Sequence, residues 1–446
     1  MFCSCQKHEV RFSRQAVGRD ATPPASQIVD EISSLSGRAP ERAQRSASYR
    51  VPDVRRVVRN RLSPGRRPCG RREHFDMHIH RLVSVAIAAA ALAWSATASA
   101  HEHATWFQGE DAGFPAPTGA SDIVPEGSKL MRLFDGGCAL TEGVAAGHDG
   151  YMYFSDITFT KFCPDPSGQY VQAGNIWRYD PASGDATVFR SPSGMSNGIK
   201  FDRDGNMLAA LGADYGGRML IKTDMASGKS YVLSGTYAGK PYNALNDITI
   251  DEQGRIYYSD PRYLGHEPVF QPGFAVYRLD TDGSVDRIIT NGGKTNGVLI
   301  SPDQSTFYLV SNDNGWLGFM QLDETDQAPI VGLHLLQAYD LNADGTVSNR
   351  RVLVDYATHY PGQPCSGPDG LVADVDGNIY IAERCEHRPG IAVRDPDGNE
   401  IAFISTGEEL PTNVGFGRGV ERNVLYVTSG KSLYKIKLGK DGYELP

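Results

Sequence analysis

One pattern of polar and apolar positions occurs six times after residue 140. Each copy starts with a polar residue, continues as a short apolar strand, passes an Asp/Gly turn and ends in a strand rich in aromatic and β-branched residues. The copies are 142–156, 197–211, 246–260, 296–310, 369–382 and 413–428. Further strand pairs such as 175–189 lie between them, so each repeat predicts a four-stranded antiparallel unit. Six such units predict an all-β fold, a six-bladed β-propeller.

Two smaller patterns agree with this architecture. Residues 129–134 precede the first copy and suit a strand that completes the last blade and closes the ring. The Asp-x-Asp-Gly strings at 202–205, 280–283 and 374–377 resemble calcium loops. They lack the downstream Glu of a helix-loop-helix calcium site and lie between strands, so we interpret them as hairpin turns.

The first hundred residues follow a different pattern. Residues 1–76 contain 15 Arg and one Lys against eight acidic residues, with little apolar periodicity, which predicts a disordered leader. Residues 77–100 have a basic start, an apolar run over 82–94 and the small residues Ala98-Ser99-Ala100. This is typical of a secretory signal peptide cleaved near Ala100. Because a signal must begin a chain, the pattern favours Met77 as the true initiator, with 1–76 a mis-annotated start; a genuine basic extension is the alternative.

These boundaries change the charge and the expected location. The full chain of 446 residues carries −9, but residues 101–446 contain 27 Lys and Arg against 45 Asp and Glu, a formal charge of −18. That acidity argues against nucleic acid as a partner. The 13-residue apolar run is too short for a membrane span. We therefore expect a secreted or periplasmic propeller domain over 101–446.

The residue that opens each repeat gives the first indication of chemistry. In a propeller the first strand of each blade lines the axis, so the six openers should meet at one mouth of the channel. They are all oxygen donors: Glu142, Asn197, Asn246, Asn296, Asp369 and Asn413. Two carboxylates among amides suit a hard cation such as Ca²⁺. The alternative is that Asn and Asp open strands only because the preceding turns favour them.

Four strings resemble the gluconolactonase/senescence marker protein (regucalcin) family. In chain order they are Glu142-Gly143 with Tyr153-Phe154-Ser155-Asp156; Asn243-Ala244-Leu245-Asn246-Asp247 with Tyr258-Ser259-Asp260-Pro261; Asn296-Gly297 with Ser301-Pro302-Asp303; and Pro368-Asp369-Gly370. The resemblance covers residues 128–437. It implies a six-bladed propeller with one divalent cation at the channel mouth, usually Ca²⁺ and sometimes Zn²⁺.

The resemblance also implies roles for individual residues. Glu142, Asn296 and Asp369 match the three metal ligands, and Asp369 matches the general base or nucleophile. Asn246 matches a position that binds substrate in some members and metal in related propellers, and Asn197 is a further candidate for orienting substrate hydroxyls. Ala244 stands where the animal enzymes have Arg, so the resemblance does not specify the lactone.

The four cysteines of the predicted mature chain suggest two disulfides. Cys138 and Cys365 each lie four residues before an expected ligand, and Cys163 and Cys385 each follow the second strand of the same blade. A second strand runs antiparallel to the first and ends at the mouth where the first begins. We therefore predict Cys138–Cys163 and Cys365–Cys385, with pairing across the channel as the alternative.

Together these features predict a calcium-dependent hydrolase that opens a lactone, most simply a sugar lactone such as an aldonolactone. Two other functions fit the same residues. One is hydrolysis of an organophosphate or aryl lactone at the same cation, because cation-assisted attack suits phosphoryl and acyl centres alike. The other is a propeller that binds a ligand without catalysis, since fold does not fix function.

Overall fold

The structure is a computed structural model that describes residues 109–158, 162–316, 326 and 329–445. The predicted Arg-rich leader (1–76) and signal peptide (77–100) lie outside the described residues. No helix within those ranges is long and apolar enough to span a membrane.

The described residues form six antiparallel sheets of at least four strands each, as the repeat predicts. Blades one to three comprise Leu140–Ala146, Met152–Ile157, Asn175–Tyr179 and Ala186–Arg190; Ser196–Phe201, Met207–Leu211, Leu220–Thr223 and Ser230–Ser234; and Ile248–Ile250, Ile256–Asp260, Ala275–Leu279 and Val285–Ile289. Blades four to six comprise Thr295–Ile300, Thr306–Ser311, Leu335–Leu341 and Val347–Asp355; Pro368–Ala373, Ile379–Glu383, Gly390–Arg394 and Glu400–Ser405; and Pro411–Phe416, Val424–Ser429 and Ser432–Lys437. The six-bladed propeller is therefore confirmed.

The last blade is completed by the strand predicted at 129–134. Met131–Phe134 pairs antiparallel with Ser432–Lys437, and Glu110–Asp111 adds a fifth strand outside it. Thr118–Gly119 extends blade five in the same way. Because blade six combines both ends of the propeller sequence, the ring closes through backbone hydrogen bonds.

Few elements of the described part of the chain lie outside the blades. They are a hairpin of Thr236–Tyr237 and Lys240–Pro241, the four-residue helix Tyr356–His359 and the 3₁₀ turn Gly419–Glu421. The Asp-x-Asp-Gly strings are turns, as expected: Asp374 Oδ1 accepts from the backbone N–H groups of Asp376 and Asn378 at 3.0 and 2.9 Å.

Hydrophobic residues fill the spaces between neighbouring blades. Tyr380 and Leu425 belong to the cluster between blades five and six, and Leu208 and Tyr258 to that between blades two and three. Fully burying one such aliphatic side chain contributes about 1.5–3 kcal/mol. The apolar positions of the strands therefore hold the blades together, so the loops are not needed for the core and can carry the residues of a site.

The first strands of consecutive blades contact one another, and that of blade six contacts that of blade one. They therefore form the inner ring around the axis. The second strand pairs so that its last residue lies beside the start of the first, as Glu383 does beside Pro368. One mouth of the channel consequently carries both the six openers and the loops that follow the second strands.

Candidate active site

A glycine follows four of the six openers and lets the inner strands approach closely. Inner strands of neighbouring blades approach so closely that a Cβ on Gly143 would lie 1.9 Å from the backbone oxygen of Asn197. A Cβ on Gly297 would lie 2.4 Å from the backbone oxygen of Asp369. Glycine thus sets the spacing between the openers of blades one and two, and of blades four and five. All six openers are buried, with at most 7% of each residue exposed.

Blade three departs from this rule because Asp247 follows its opener, Asn246. Gly198 N–H donates to the backbone oxygen of Asn246 at 2.7 Å on one side. On the other side, Val298 N–H donates to Asp247 Oδ2 at 3.1 Å. A buried carboxylate therefore links blade three to blade four, whereas close backbone contact at a glycine joins blades one and two and blades four and five. Burial raises the pKa of Asp247, and the charge of Lys200 lowers it.

Glu142 and Asp369 are the buried carboxylates among the openers, 4% and 6% exposed. Burial raises the pKa of both, that of Asp369 to about 6, and the charge of Asp369 raises that of Glu142 further. The Arg384 guanidinium opposes both shifts, and its Nη1 lies 3.2 Å from Asp369 Oδ2. The pair would be stabilised in its ionised form by further positive charge.

A tyrosine fixes the orientation of Asn296. Asn296 Nδ2 donates to Tyr263 Oη at 2.9 Å, and Tyr263 Oη donates to the backbone oxygen of Asn312 at 3.0 Å. Burial raises the pKa of Tyr263 well above its usual range, so the phenol keeps its proton. Because the amide nitrogen of Asn296 donates to the phenol, its amide oxygen is the atom that can bind a cation or accept from a substrate hydroxyl.

The remaining asparagine openers differ from one another. Asn197 Oδ1 is buried without a hydrogen-bond partner in the described part of the chain. Asn246 is 6% exposed and lies at the same mouth. Asn413 Oδ1 accepts from the N–H of Val414 at 2.9 Å, and its side chain packs against Gly370. The structure therefore brings all six openers together, but the side-chain oxygen of Asn413 is already bonded to the backbone of its own strand.

The donor set fits a hard cation. The residues that the structure describes contain no group of three or more His, Cys, Asp or Glu side chains that could hold a metal ion. A cation at the mouth would therefore need amide oxygens beside the two carboxylates, which is the ligand chemistry of Ca²⁺. The buried, unpartnered Asn197 Oδ1 is an independent sign that an oxygen donor here awaits a ligand.

One string near the mouth has the spacing of a serine-hydrolase nucleophile, Gly-x-Ser-x-Gly over 194–198. Its Ser196 starts the first strand of blade two and is fully buried, with Oγ 2.7 Å from Ser155 Oγ. The nucleophile of that class sits exposed on a turn between a strand and a helix. Ser196 is therefore a structural residue of the inner ring.

The two disulfides are the pairs that the sequence predicts. Cys138 is bonded to Cys163 and Cys365 to Cys385, with Cα–Cα distances of 6.0 and 3.8 Å. Each ties the loop before a carboxylate opener to the loop after the second strand of the same blade. The loops that lead to Glu142 and Asp369 are thus anchored covalently.

Sequence reasoning missed Tyr263 and Arg384. Both follow a second strand, that of blade three and that of blade five, and so lie at the mouth. Aligning the residues directly after the six second strands would have found Arg384, because it is the charged member of that set. The set is Thr158, Gly212, Pro261, Asn312, Arg384 and Gly430.

Comparison with known proteins finds lactonases among the similar chains. A curated gluconolactonase of Zymomonas mobilis is 27% identical over 309 residues, 65% of this chain and 78% of the relative. The pentonolactonase XacC of Haloferax volcanii is 29% identical over 304 residues, 67% of this chain and 84% of the relative. The solved structure of a calcium-binding regucalcin from Agrobacterium tumefaciens has the same fold, with a TM-score of 0.52 and 20% identity, covering 71% of this chain and 95% of that structure.

The match to the family described as SMP-30/gluconolactonase/LRE-like spans residues 140–431. It therefore includes all six openers, both disulfide-bonded loops of blade five and Arg384, which follows the second strand of that blade. The chain belongs to the SMP-30/gluconolactonase/LRE-like family.

Proposed function

We propose that the chain hydrolyses a lactone, with a sugar (aldono)lactone as substrate and Asp369 as general base or nucleophile. The observation that carries the proposal is the buried pair Glu142 and Asp369 at a channel mouth, served by one guanidinium. A site that only binds a neutral ligand does not need two buried carboxylates, which are costly to keep ionised. The two curated relatives are named for sugar-lactone substrates, which supports this class.

We also propose that the mouth holds one divalent cation, Ca²⁺ in preference to Zn²⁺, on Glu142, Asn296 and Asp369. The set offers oxygen ligands without histidine or cysteine, and the regucalcin with the same fold is described as calcium-binding. When bound, such a cation would polarise the lactone carbonyl and stabilise the negative charge that develops on its oxygen.

The protein's own groups supply the rest of the reaction. With a pKa of about 6, Asp369 is ionised at neutral pH and accepts a proton from water as the water oxygen bonds to the carbonyl carbon. The ring C–O bond then breaks, and the ring oxygen takes up that proton to leave as a hydroxyl. Arg384 holds the carboxylate in place. Asn246 and Asn197 would orient the substrate hydroxyls.

Asp369 as nucleophile is a distinct version of this scheme. Its carboxylate would bond directly to the carbonyl carbon as the ring C–O bond breaks and the ring oxygen takes a proton from solvent, and water would hydrolyse the resulting anhydride in a second step. A single turnover in ¹⁸O-labelled water tests for the covalent route. Label in the Asp369 carboxyl group requires that route, because general base catalysis places the label only in the hydroxy-acid product.

The proposed location is outside the cytoplasm. Two disulfides in the described residues suit an oxidising compartment, since such bonds are rare in a reducing cytosol. Amino-terminal sequencing of the protein recovered from a periplasmic extract or culture medium should give His101 as the first residue. Recovery of the uncleaved chain from the cytoplasm alone would contradict this.

The test of function is acid release from a panel of lactones by the purified chain with Ca²⁺, with Zn²⁺ and with a chelator. We expect chelator-sensitive turnover of a sugar lactone and a loss of at least about 100-fold in kcat/KM for Asp369→Asn. Asp282→Asn, the same change in an exposed hairpin turn, should keep full activity. Turnover of an organophosphate or aryl lactone alone, or undiminished Asp369→Asn activity, would refute the proposal.

A further inference from the structure

Two loops border the mouth beside the asparagines proposed to orient the substrate. The loop over 212–219 follows the second strand of blade two, whose last residue, Leu211, pairs with Ser196 next to Asn197. The loop over 261–274 follows the second strand of blade three, and there the N–H of Asn246 donates to the backbone oxygen of Ser259 at 3.0 Å. Both loops therefore begin at the mouth.

The first loop is held in a strained conformation. Asp214 and Tyr215 have φ of 65° and 69°, the left-handed region that side chains other than glycine rarely adopt. Glu267, from the second loop, accepts the N–H of Asp214 at 3.1 Å and that of Tyr215 at 2.9 Å. Arg262 is completely buried and donates to Glu267 Oε2 at 3.0 Å. An ion pair between a buried guanidinium and a partly exposed carboxylate thus maintains backbone strain that a simple connecting loop would not need.

The strained loop presents an aromatic ring to solvent. Tyr215 is 62% exposed, and its ring centroid lies 4.0 Å from that of His266 on the second loop. His266 Nδ1 lies 3.2 Å from Asp214 Oδ1. The three side chains are called here the rim cluster: the phenol of Tyr215 and the imidazole of His266, which adjoin each other, with the Asp214 carboxylate beside them, where 8% of Asp214 is exposed.

The rim cluster is connected to the site through one short segment. Arg262, which supports Glu267, also donates to the backbone oxygen of Asn243, three residues before Asn246, at 2.9 Å. The next residue, Tyr263, contacts Asn296. The segment 261–267 therefore contacts an expected cation ligand at one end and carries His266 at the other.

We propose that Asp214, Tyr215 and His266 form a subsite for the polyhydroxylated part of the lactone. One face of a sugar ring or of its hydroxyalkyl tail, rich in C–H bonds, packs on the aromatic pair. Its hydroxyls donate to the Asp214 carboxylate and bond to the imidazole. Apolar rings with a few placed polar groups are the usual composition of such a binding surface. The inference rests on the proposed lactone hydrolysis.

The test compares two six-membered lactones, glucono-1,5-lactone and the unsubstituted δ-valerolactone, with spontaneous hydrolysis subtracted. Tyr215→Asn removes the ring but tolerates the positive φ, since Asn is enriched in that region. We expect it to raise KM for gluconolactone about three- to tenfold, the range of an aromatic contact, and to leave δ-valerolactone within about twofold. Asp214→Asn, which also tolerates its φ, should show the same selectivity.

Three further variants serve as controls. Tyr215→Phe keeps the ring and should behave as wild type. Tyr231→Asn makes the same change at a tyrosine that is 56% exposed on the outer strand of blade two, and should have no effect. Tyr215→Gly relieves the strain, so its thermal midpoint should be no lower than that of wild type although it binds gluconolactone as weakly as Tyr215→Asn.

The outcomes separate the subsite from the proposed function. If wild type hydrolyses lactones but Tyr215→Asn changes neither KM, or lowers turnover of both lactones equally, the subsite is refuted and the activity stands. If wild type hydrolyses no lactone, the proposed function fails, and the subsite fails with it.

Discussion

Gly143→Ala tests whether the closeness of the inner strands positions the site. A Cβ on Gly143 would lie 1.9 Å from the backbone oxygen of Asn197 and 2.8 Å from Gly198 Cα. Real Cβ atoms essentially never approach another heavy atom within 3.0 Å, so the first strands of blades one and two must move apart by about 1 Å. The residues displaced are the openers Glu142 and Asn197.

The expected cost has two parts. Overpacking of a well-packed interior costs typically about 1–3 kcal/mol. The Gly143 backbone has φ of 37°, and forcing a Cβ into left-handed backbone adds roughly 1–2 kcal/mol. Gly143→Ala should therefore lower the free energy of unfolding by about 2–5 kcal/mol. A displacement of this size in catalytic groups should lower kcat by at least about tenfold.

Gly150→Ala is the matched control, in the turn between the first two strands of the same blade. Gly150 has φ of 85°, but a Cβ there would have no other heavy atom within 4 Å. It therefore bears the backbone cost alone, roughly 1–2 kcal/mol, and should keep wild-type kcat. Urea unfolding and lactone hydrolysis of both variants measure the difference. Equal stability of the two variants, or wild-type kcat in Gly143→Ala, would refute the reasoning.

Three more perturbations probe charge and covalent anchoring. Arg384→Gln removes the guanidinium that lowers the pKa of Asp369, so the acidic limb of the kcat/KM profile should move to higher pH by about one unit or more. Arg384→Lys should restore the limb to its wild-type position. An unmoved limb in Arg384→Gln would show that Arg384 does not lower the pKa of Asp369. Burial raises the pKa of Asp260 to about 7, above its unfolded value, so the unfolded chain binds fewer protons than the native one between about pH 4 and 7. The free energy of unfolding should fall by up to about 4 kcal/mol as pH rises through that window, and Asp260→Asn should lack this slope in urea unfolding. Replacing Cys365 and Cys385 together by Ala opens a crosslink of 20 residues and should lower the free energy of unfolding by about 3 kcal/mol, whereas an unchanged thermal midpoint would show that the bridge adds no stability.

The architecture could be predicted because each blade is encoded locally. Alternating strands and Asp/Gly turns recur with every copy, so six weak signals reinforce one another. The location of the site followed from the same periodicity, because register alone places Glu142 and Asp369 at one mouth. The strand at 129–134 was predictable for a related reason, since a closed ring leaves no long unpaired edge.

The contacts around the openers could not be predicted in the same way. Tyr263 reaches Asn296 from an irregular loop of another blade, and loops do not share the repeat. Arg384 can be picked out as the charged residue among those that follow the second strands, but its contact with Asp369 is not given by that alignment. The positive φ of Tyr215 depends on Glu267, 52 residues away, and leaves no mark in the local sequence. These features depend on tertiary contact between segments without a common pattern.

The chemistry of the six openers depends on keeping their total negative charge low. A carboxylate at every opener would place six negative charges in a buried ring, where each raises the pKa of the others and protonation would follow. Asparagine keeps an oxygen donor without that charge. Its role is then decided by its neighbours: Asn296 is oriented by a phenol, Asn413 is bonded to its own backbone, and Asn197 keeps a buried oxygen without a partner in the described residues. One residue type in one register thus gives three different groups, which is why the repeat predicts where the site is and only the structure distinguishes its members.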